Sequence, residues 1–185
     1  MRIIGGKAKG RTLHFPSGSK ERPTSDFLRE ALFNILGSLE DVRFLDLFAG
    51  SGSVGLEAAS RGAQEVCFVE KNKNLSAIIK KNIQTCCLEK NCRIIAEDVE
   101  YGLNDLFKKK YKFDIIFADP PYNRSLVGTT LNLLKKYQIF KEDSVFVIQH
   151  SIKESFTDPG DKNIYLTDQR KYGDNALTFF KMEMK

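Results

Sequence analysis

Apolar positions along this 185-residue chain recur first at helical spacing and then in short runs at regular intervals. Pro23, Thr24, Ser25 and Asp26 signal a helix start. Phe27, Leu28, Ala31, Leu32, Ile35, Leu36 and Leu39 follow at helical spacing, with Gly37 weakening the last turn. From Arg43 onward, strand-like and helix-like segments alternate. The pattern predicts strands at Arg43–Phe48, Glu65–Glu70, Cys92–Glu97, Phe113–Ala118 and Ser144–Gln149. Helices are predicted at Ser53–Arg61, Lys71–Leu88, Val99–Phe107 and Ser125–Tyr137. Alternation of this kind implies a parallel sheet covered on both faces. The last two strand-like runs, Lys162–Lys171 and Asn175–Met182, are joined only by Tyr172-Gly173-Asp174, which permits antiparallel pairing alone. Ahead of the first helix, short apolar pieces alternate with glycine from Arg2 to Phe15 and read as a small basic hairpin ending at Pro16-Ser17-Gly18. The expected fold is α/β, a doubly wound seven-stranded sheet. It forms one domain over 1–185, with a hairpin extension over 1–24 and the core over 25–185.

Composition leaves this picture intact: 42% apolar and 29% charged residues are ordinary for a globular domain. No apolar run is long enough to span a bilayer. Ile3-Ile4 is too short for the apolar part of a signal peptide, so a cytoplasmic location is expected. Cys67, Cys86, Cys87 and Cys92 form neither a CxxC pair nor a metal-ligand pattern with histidine, and are expected as buried free thiols with no metal. His14 and His150 are isolated and receive no chemical role. Charge is unevenly placed. Residues 1–25 hold Arg2, Lys7, Lys9, Arg11, Lys20 and Arg22 against Glu21, which accounts for the whole net charge of +5. A basic segment on a neutral domain suits a phosphate-rich partner, and equally suits a solvated tail.

Gly50-Ser51-Gly52-Ser53-Val54-Gly55 follows a predicted strand and opens a predicted helix, matching G-x-G-x-x-G in context. With Glu70 ending the next strand, a nicotinamide dinucleotide site is one reading. Asp46 weighs against it, since a carboxylate near the tip of the first strand would repel a pyrophosphate. A cofactor whose middle is not anionic, such as S-adenosylmethionine, fits better. Asp46, Glu70, Asp98 and Asp119 all fall at or beside the carboxyl ends of successive predicted strands, where doubly wound sheets bind ligands.

Asp119-Pro120-Pro121-Tyr122 ends the fourth predicted strand. The Asp119 carboxylate and the Pro120 carbonyl can both accept from one exocyclic amino group. The prolines fix the backbone, and Tyr122 offers a stacking face. Such a clamp suits chemistry on a nucleobase, although Asp-Pro-Pro also occurs in plain turns.

Leu45-Asp46-Leu47-Phe48-Ala49-Gly50-Ser51-Gly52 resembles the first motif of class I S-adenosylmethionine-dependent methyltransferases. Over nearly the whole chain the sequence resembles the RsmD family. The likeness is carried by Met1-Arg2-Ile3-Ile4-Gly5-Gly6-Lys7, Arg22-Pro23-Thr24, Arg29-Glu30-Ala31-Leu32-Phe33-Asn34, Leu56-Glu57-Ala58, Ser60-Arg61-Gly62-Ala63 and Tyr172-Gly173-Asp174. The resemblance implies a Rossmann-like methyltransferase sheet, mostly parallel with a C-terminal antiparallel hairpin. It implies an enzyme that methylates N2 of guanine 966 in 16S rRNA, naked or within the small ribosomal subunit, as a monomer using S-adenosylmethionine and no metal. By the same resemblance Asp46, Phe48, Gly50, Ser51, Gly52, Glu70 and Asp98 bind cofactor. Of these, Glu70 would hold ribose hydroxyls and Asp98 the adenine amino group. Asp119, Pro120 and Tyr122 form the catalytic clamp, and Arg2, Lys7, Lys9, Arg11 and Arg22 contact RNA. Ala8 departs from the family, which often has tryptophan there, so no stacking contact is expected from the hairpin. DNA adenine-N6 methylation, protein glutamine methylation and a dinucleotide oxidoreductase are the alternatives.

Overall fold

The computed structural model describes residues 1–16, 25–121, 126–154 and 163–183. In chain order the elements are α1 (Asp26–Leu36), β1 (Arg43–Leu47), α2 (Ser53–Ser60), β2 (Glu65–Val69), α3 (Lys73–Cys86), β3 (Cys92–Ile95), α4 (Val99–Lys108), β4 (Phe113–Ala118), α5 (Leu126–Tyr137), β5 (Phe140–Ser151), β6 (Ile164–Tyr172) and β7 (Asn175–Met182). The strands make a seven-stranded mixed sheet in the order β3-β2-β1-β4-β5-β7-β6. This is the doubly wound, Rossmann-like arrangement that the alternating pattern predicts. The chain divides into two compact units, Met1–Asp98 and Val99–Lys185. No helix among the described residues is long and apolar enough to cross a membrane.

In the first unit β1 pairs in parallel with β2, and β2 with β3. Phe44, Leu45, Leu47, Val66, Phe68 and Val69 are all fully buried, as strands covered on both faces require. Helix α1 starts where the sequence signals it: the Ser25 hydroxyl accepts from Leu28 N at 3.2 Å, and Gly37 supplies the C-cap.

The N-terminal segment folds back on itself as the small hairpin expected. It reverses direction with a single antiparallel bridge, Arg2↔Thr12, and a few further amide bonds such as Ile3 N to Arg11 O at 3.0 Å. Its ladder stays short because α2 takes donors that a longer one would use. Ile4 N and Gly5 N donate to the Glu57 carboxylate at 2.8 and 2.7 Å, Lys7 N to Ser60 O at 2.8 Å, and Ala8 N to the Ser60 hydroxyl at 2.9 Å. Contact is so close that a Cβ on Gly6 would lie 1.9 Å from the Ser60 carbonyl oxygen. Ile3, Ala8 and Leu13 are buried in consequence, so residues 1–16 are a packed part of the first unit and not a tail.

Glu57, fully buried, also accepts from Arg61 Nε at 2.8 Å and lies 3.7 Å from Nε of the equally buried Arg29. Arg29 in turn donates to the Arg2 carbonyl at 2.6 Å and to Asp26 at 3.1 Å. Burial pushes the Arg29 guanidinium below its ordinary pKa, and the Glu57 and Asp26 carboxylates push back.

In the second unit β4 pairs in parallel with β5, while β7 pairs antiparallel with both β5 and β6. Strand β5 begins at Phe140, four residues before the expected Ser144. Phe140 is buried opposite Phe113, and the register then jumps so that Ile115 meets Val145. The polar stretch Lys141-Glu142-Asp143, which breaks the apolar pattern, is the bulge; Asp143 has φ 60° and Lys141 reaches Asp114 at 2.8 Å. The thiols differ in part from expectation: Cys67 and Cys86 are buried, but Cys87 is exposed, and half-buried Cys92 is pushed up to about 12 by burial.

Replacing Glu57 by Ala takes one of two carboxylates from the buried Arg29 guanidinium and leaves two backbone donors without their acceptor. The Glu57→Ala variant is expected to lose about 3–5 kcal/mol of unfolding free energy in urea titration, and Glu57→Gln, which keeps an acceptor oxygen, to lose less.

Candidate active site

Helix α2 starts from Gly52 in the left-handed region and has no side-chain cap of its own. The missing cap comes from the strand before it. Asp46, 2% exposed, accepts from Gly55 N at 2.8 Å, placing its negative charge on the positive end of the helix. That carboxylate occupies the amide a pyrophosphate would draw upon, which disfavours the dinucleotide reading on geometry as well as on charge. Gly55 leaves no room for a larger residue. A Cβ there would lie 2.3 Å from the Phe68 ring and 3.0 Å from Asp46 Oδ2.

Glu70 holds the other side of the loop. Its Oε2 accepts from Gly50 N at 2.8 Å and its Oε1 from Asn72 N at 2.8 Å, while the Ser76 hydroxyl donates to its carbonyl at 3.0 Å. Each carboxylate oxygen keeps a lone pair for a further donor such as a ribose hydroxyl. Between these acids Phe48 is half-buried at φ 57°, a conformation costly for an aromatic residue and held by its surroundings. Ser51 is half-buried, and its carbonyl accepts from Asn82 at 3.0 Å. Asp98 follows β3, exposed, just before α4.

In the second unit β4 ends at Ala118 level with Ile148 of β5. Asp119 is half-buried, Pro120 buried and Pro121 exposed; Tyr122 lies outside the described residues. At the same end of the sheet, Ser151 of β5 meets Asn175 of β7, so the Tyr172-Gly173-Asp174 turn stands at the Asp119 end, fastened by Ile152 N to Asp174 O at 3.0 Å. Exposed Arg170 pairs with Asp168 at 2.8 Å, and Lys171 is exposed.

His150 is buried, with Nδ1 2.9 Å from the Ser151 carbonyl and Nε2 2.8 Å from the Thr178 hydroxyl, which itself accepts from Gln169 at 2.9 Å. A carbonyl only accepts, so Nδ1 carries the proton and Nε2 receives the hydroxyl's. This is a satisfied structural histidine.

Of the predicted RNA contacts, Arg2, Lys7, Lys9 and Arg11 are exposed, and Arg22 lies outside the described residues. Arg11 also donates to the Thr85 carbonyl at 3.1 Å. Among the described residues no cluster of three or more metal-ligating side chains is found. Sequence reasoning did not single out Asn82, and it met Ser60 only within a resemblance motif; their partners in the N-terminal segment lie 52 to 68 residues away. No local pattern marks such pairs.

The strand order and the acid-bracketed glycine loop define the Rossmann-like class of S-adenosylmethionine-dependent methyltransferases. A family model described as conserved hypothetical protein 95 matches residues 1–181. The Buchnera aphidicola (strain APS) protein named ribosomal RNA small subunit methyltransferase D is 38% identical over 88% of this chain and 84% of its own length. The Escherichia coli K12 protein of that name is 35% identical over 83% of this chain and 76% of its own. The solved structure of Thermus thermophilus hypothetical protein TTHA0928 superposes with a TM-score of 0.84 at 35% identity, covering 100% of this chain and 99% of that one. The chain belongs to the RsmD family of S-adenosylmethionine-dependent methyltransferases.

Substituting Gly55 by Ala forces apart Phe68 and the Asp46 cap. Gly55→Ala is expected to lower the thermal midpoint measurably and to raise the dissociation constant for S-adenosylhomocysteine at least tenfold by calorimetry, about 1.4 kcal/mol; unchanged binding would show the loop does not depend on this packing.

Proposed function

We propose that the protein transfers the methyl group of S-adenosylmethionine to the exocyclic N2 of a guanine in 16S rRNA, guanine 966 by family resemblance. The observation that carries the reading is Asp119-Pro120 at the end of β4 in a chain similar, over most of its length, to proteins named ribosomal RNA small subunit methyltransferase D. The reading takes both compact units as parts of one methyltransferase domain. It also takes the protein to be a cytoplasmic monomer that needs no metal and meets its rRNA during or after small-subunit assembly.

The cofactor, when bound, supplies an electrophilic sulfonium methyl. Glu70 has lone pairs for ribose hydroxyls, Asp98 an exposed carboxylate for the adenine amino group, and the loop from Phe48 to Gly52 lies beside Glu70, which holds its Gly50 amide. Asp46 acts one step back, holding the start of α2. The guanine is extruded from the RNA, and Tyr122 stacks on it. Asp119 and the Pro120 carbonyl each accept one N2–H, so the nitrogen lone pair, otherwise conjugated with the ring, pyramidalises toward the methyl. With the cofactor in place, methyl transfer would require the amino group to shed one proton, which Asp119 or water would accept. Asp119 positions and stabilises the positive charge that develops on nitrogen. Arg2, Lys7, Lys9, Arg11 and Arg22 neutralise RNA phosphates, which fixes orientation without reading bases.

Radiolabel transfer to naked 16S rRNA, small subunits, DNA and protein, followed by nucleoside analysis, is expected to yield N2-methylguanosine in rRNA; label in DNA adenine or glutamine overturns the assignment. Asp119→Ala is expected to lose roughly 10²–10³-fold in kcat, the scale of one lost transition-state electrostatic partner, with cofactor affinity near that of the parent. Removing the charges of Lys7, Lys9 and Arg11 together is expected to flatten the slope of log K against log salt by about 2–3 for RNA binding. An unchanged slope places the RNA elsewhere.

A further inference from the structure

The glycine loop and the basic N-terminal segment are separate in sequence, yet one buried side chain touches both. Asn82 of α3 is 0% exposed. Its Oδ1 accepts from His14 N at 2.7 Å, and its Nδ2 donates to the His14 carbonyl at 3.0 Å and to the Ser51 carbonyl at 3.0 Å. The amide therefore grips the His14 backbone at both donor and acceptor, as a neighbouring strand would, and spends its remaining hydrogen on the loop. Asparagine suits this place because a short side chain must offer one acceptor and two donors. Aspartate would turn a carboxylate oxygen toward two carbonyls, and an apolar residue would leave three part-buried backbone groups without this partner.

We propose that Asn82 is a positioning residue that couples RNA occupancy of residues 7–14 to cofactor affinity at the glycine loop. This rests on the methyltransferase reading above. The sign follows from the geometry. RNA phosphates held by Lys7, Lys9 and Arg11 restrain the segment that ends at His14; Arg11 is itself tied to the Thr85 carbonyl at the C-terminal end of α3. A restrained His14 fixes the plane of the Asn82 amide, and the fixed amide keeps its donor on Ser51. Ser51 lies between Gly50, whose amide is on Glu70, and Gly52, where α2 begins. A loop already fixed loses less conformational freedom when cofactor binds, so RNA tightens cofactor and, by linkage, cofactor tightens RNA equally.

The test uses the full chain with S-adenosylhomocysteine and a 16S rRNA transcript, a pair that cannot turn over. Calorimetry of S-adenosylhomocysteine binding with and without saturating transcript is expected to show a 5–10-fold gain in affinity for the parent, within the usual range of coupling between sites. Asn82→Ala is expected to bring that gain below about twofold, whereas Thr85→Ala, on the same helix with its hydroxyl turned back to the Lys81 carbonyl, keeps it. The ratio, unlike either affinity alone, does not move with a general loss of stability. In the parent, hydrogen exchange provides a readout independent of any substitution. S-adenosylhomocysteine is expected to slow exchange of the His14 amide, which donates to Asn82. If both partners bind but neither changes the other's affinity, or if Asn82→Ala keeps the full gain, the coupling is overturned and the methyltransferase reading stands. If S-adenosylhomocysteine or the transcript fails to bind the parent, both fall together. Should Asn82→Ala not fold, unchanged His14 exchange in the parent overturns the proposal by itself.

Discussion

The Glu57 carboxylate is the constraint on which the first unit is organised. A buried carboxylate is costly unless its oxygens are fully used, and here two backbone amides and two guanidinium groups converge on it. The same charge that fastens residues 4 and 5 to α2 also opposes the effect of burial on the Arg29 guanidinium, and Arg29 draws in the Arg2 carbonyl and the first turn of α1. Take the carboxylate away and three elements lose a common fixed point. The exposed lysines of the N-terminal segment are thus presented from a firmly held base, the condition for phosphate contacts to orient a partner as well as attract it.

The active-site loop follows the same logic. Asp46 and Glu70 are not idle strand-end acids, for each is bonded to a backbone amide that fixes the loop. Preorganised acceptors of this kind need no rearrangement when a ligand with hydroxyl and amino donors arrives. They also explain why a G-x-G-x-x-G pattern need not imply a dinucleotide: the acid on the preceding strand decides which charge the helix start can receive.

Much of this was legible in the sequence, and what was not has a physical explanation. The period of the apolar residues gave the element order, and β4 and β7 agree with their expected bounds, because buried strands must be apolar on both faces. Strand β5 was read short because a bulge carries polar residues inside a strand, a feature periodicity treats as an ending. The N-terminal hairpin was legible as a chain reversal, but glycine and alternating short apolar pieces do not say what its amides bond to; α2, some fifty residues away, captures them. Glycine loop, strand-end acids and Asp119 were visible because their chemistry is local to the strand ends. Asn82 was invisible because one polar residue in an amphipathic helix has no signature until its partners are placed. Yet the motifs behind the family resemblance, around Gly5-Gly6, Arg29, Glu57 and Ser60-Arg61, proved to be neighbours in space.

Capping α2 from Asp46 has a kinetic side. With eight residues and no local cap, α2 is too short to persist alone in water. Its stabilising charge sits on β1, so the helix and the loop that precedes it gain their anchor only once that strand has been laid down. The helix start and the glycine loop before it are therefore only as firm as their hold on β1, so that any loosening of that strand's tip is felt at once in the loop.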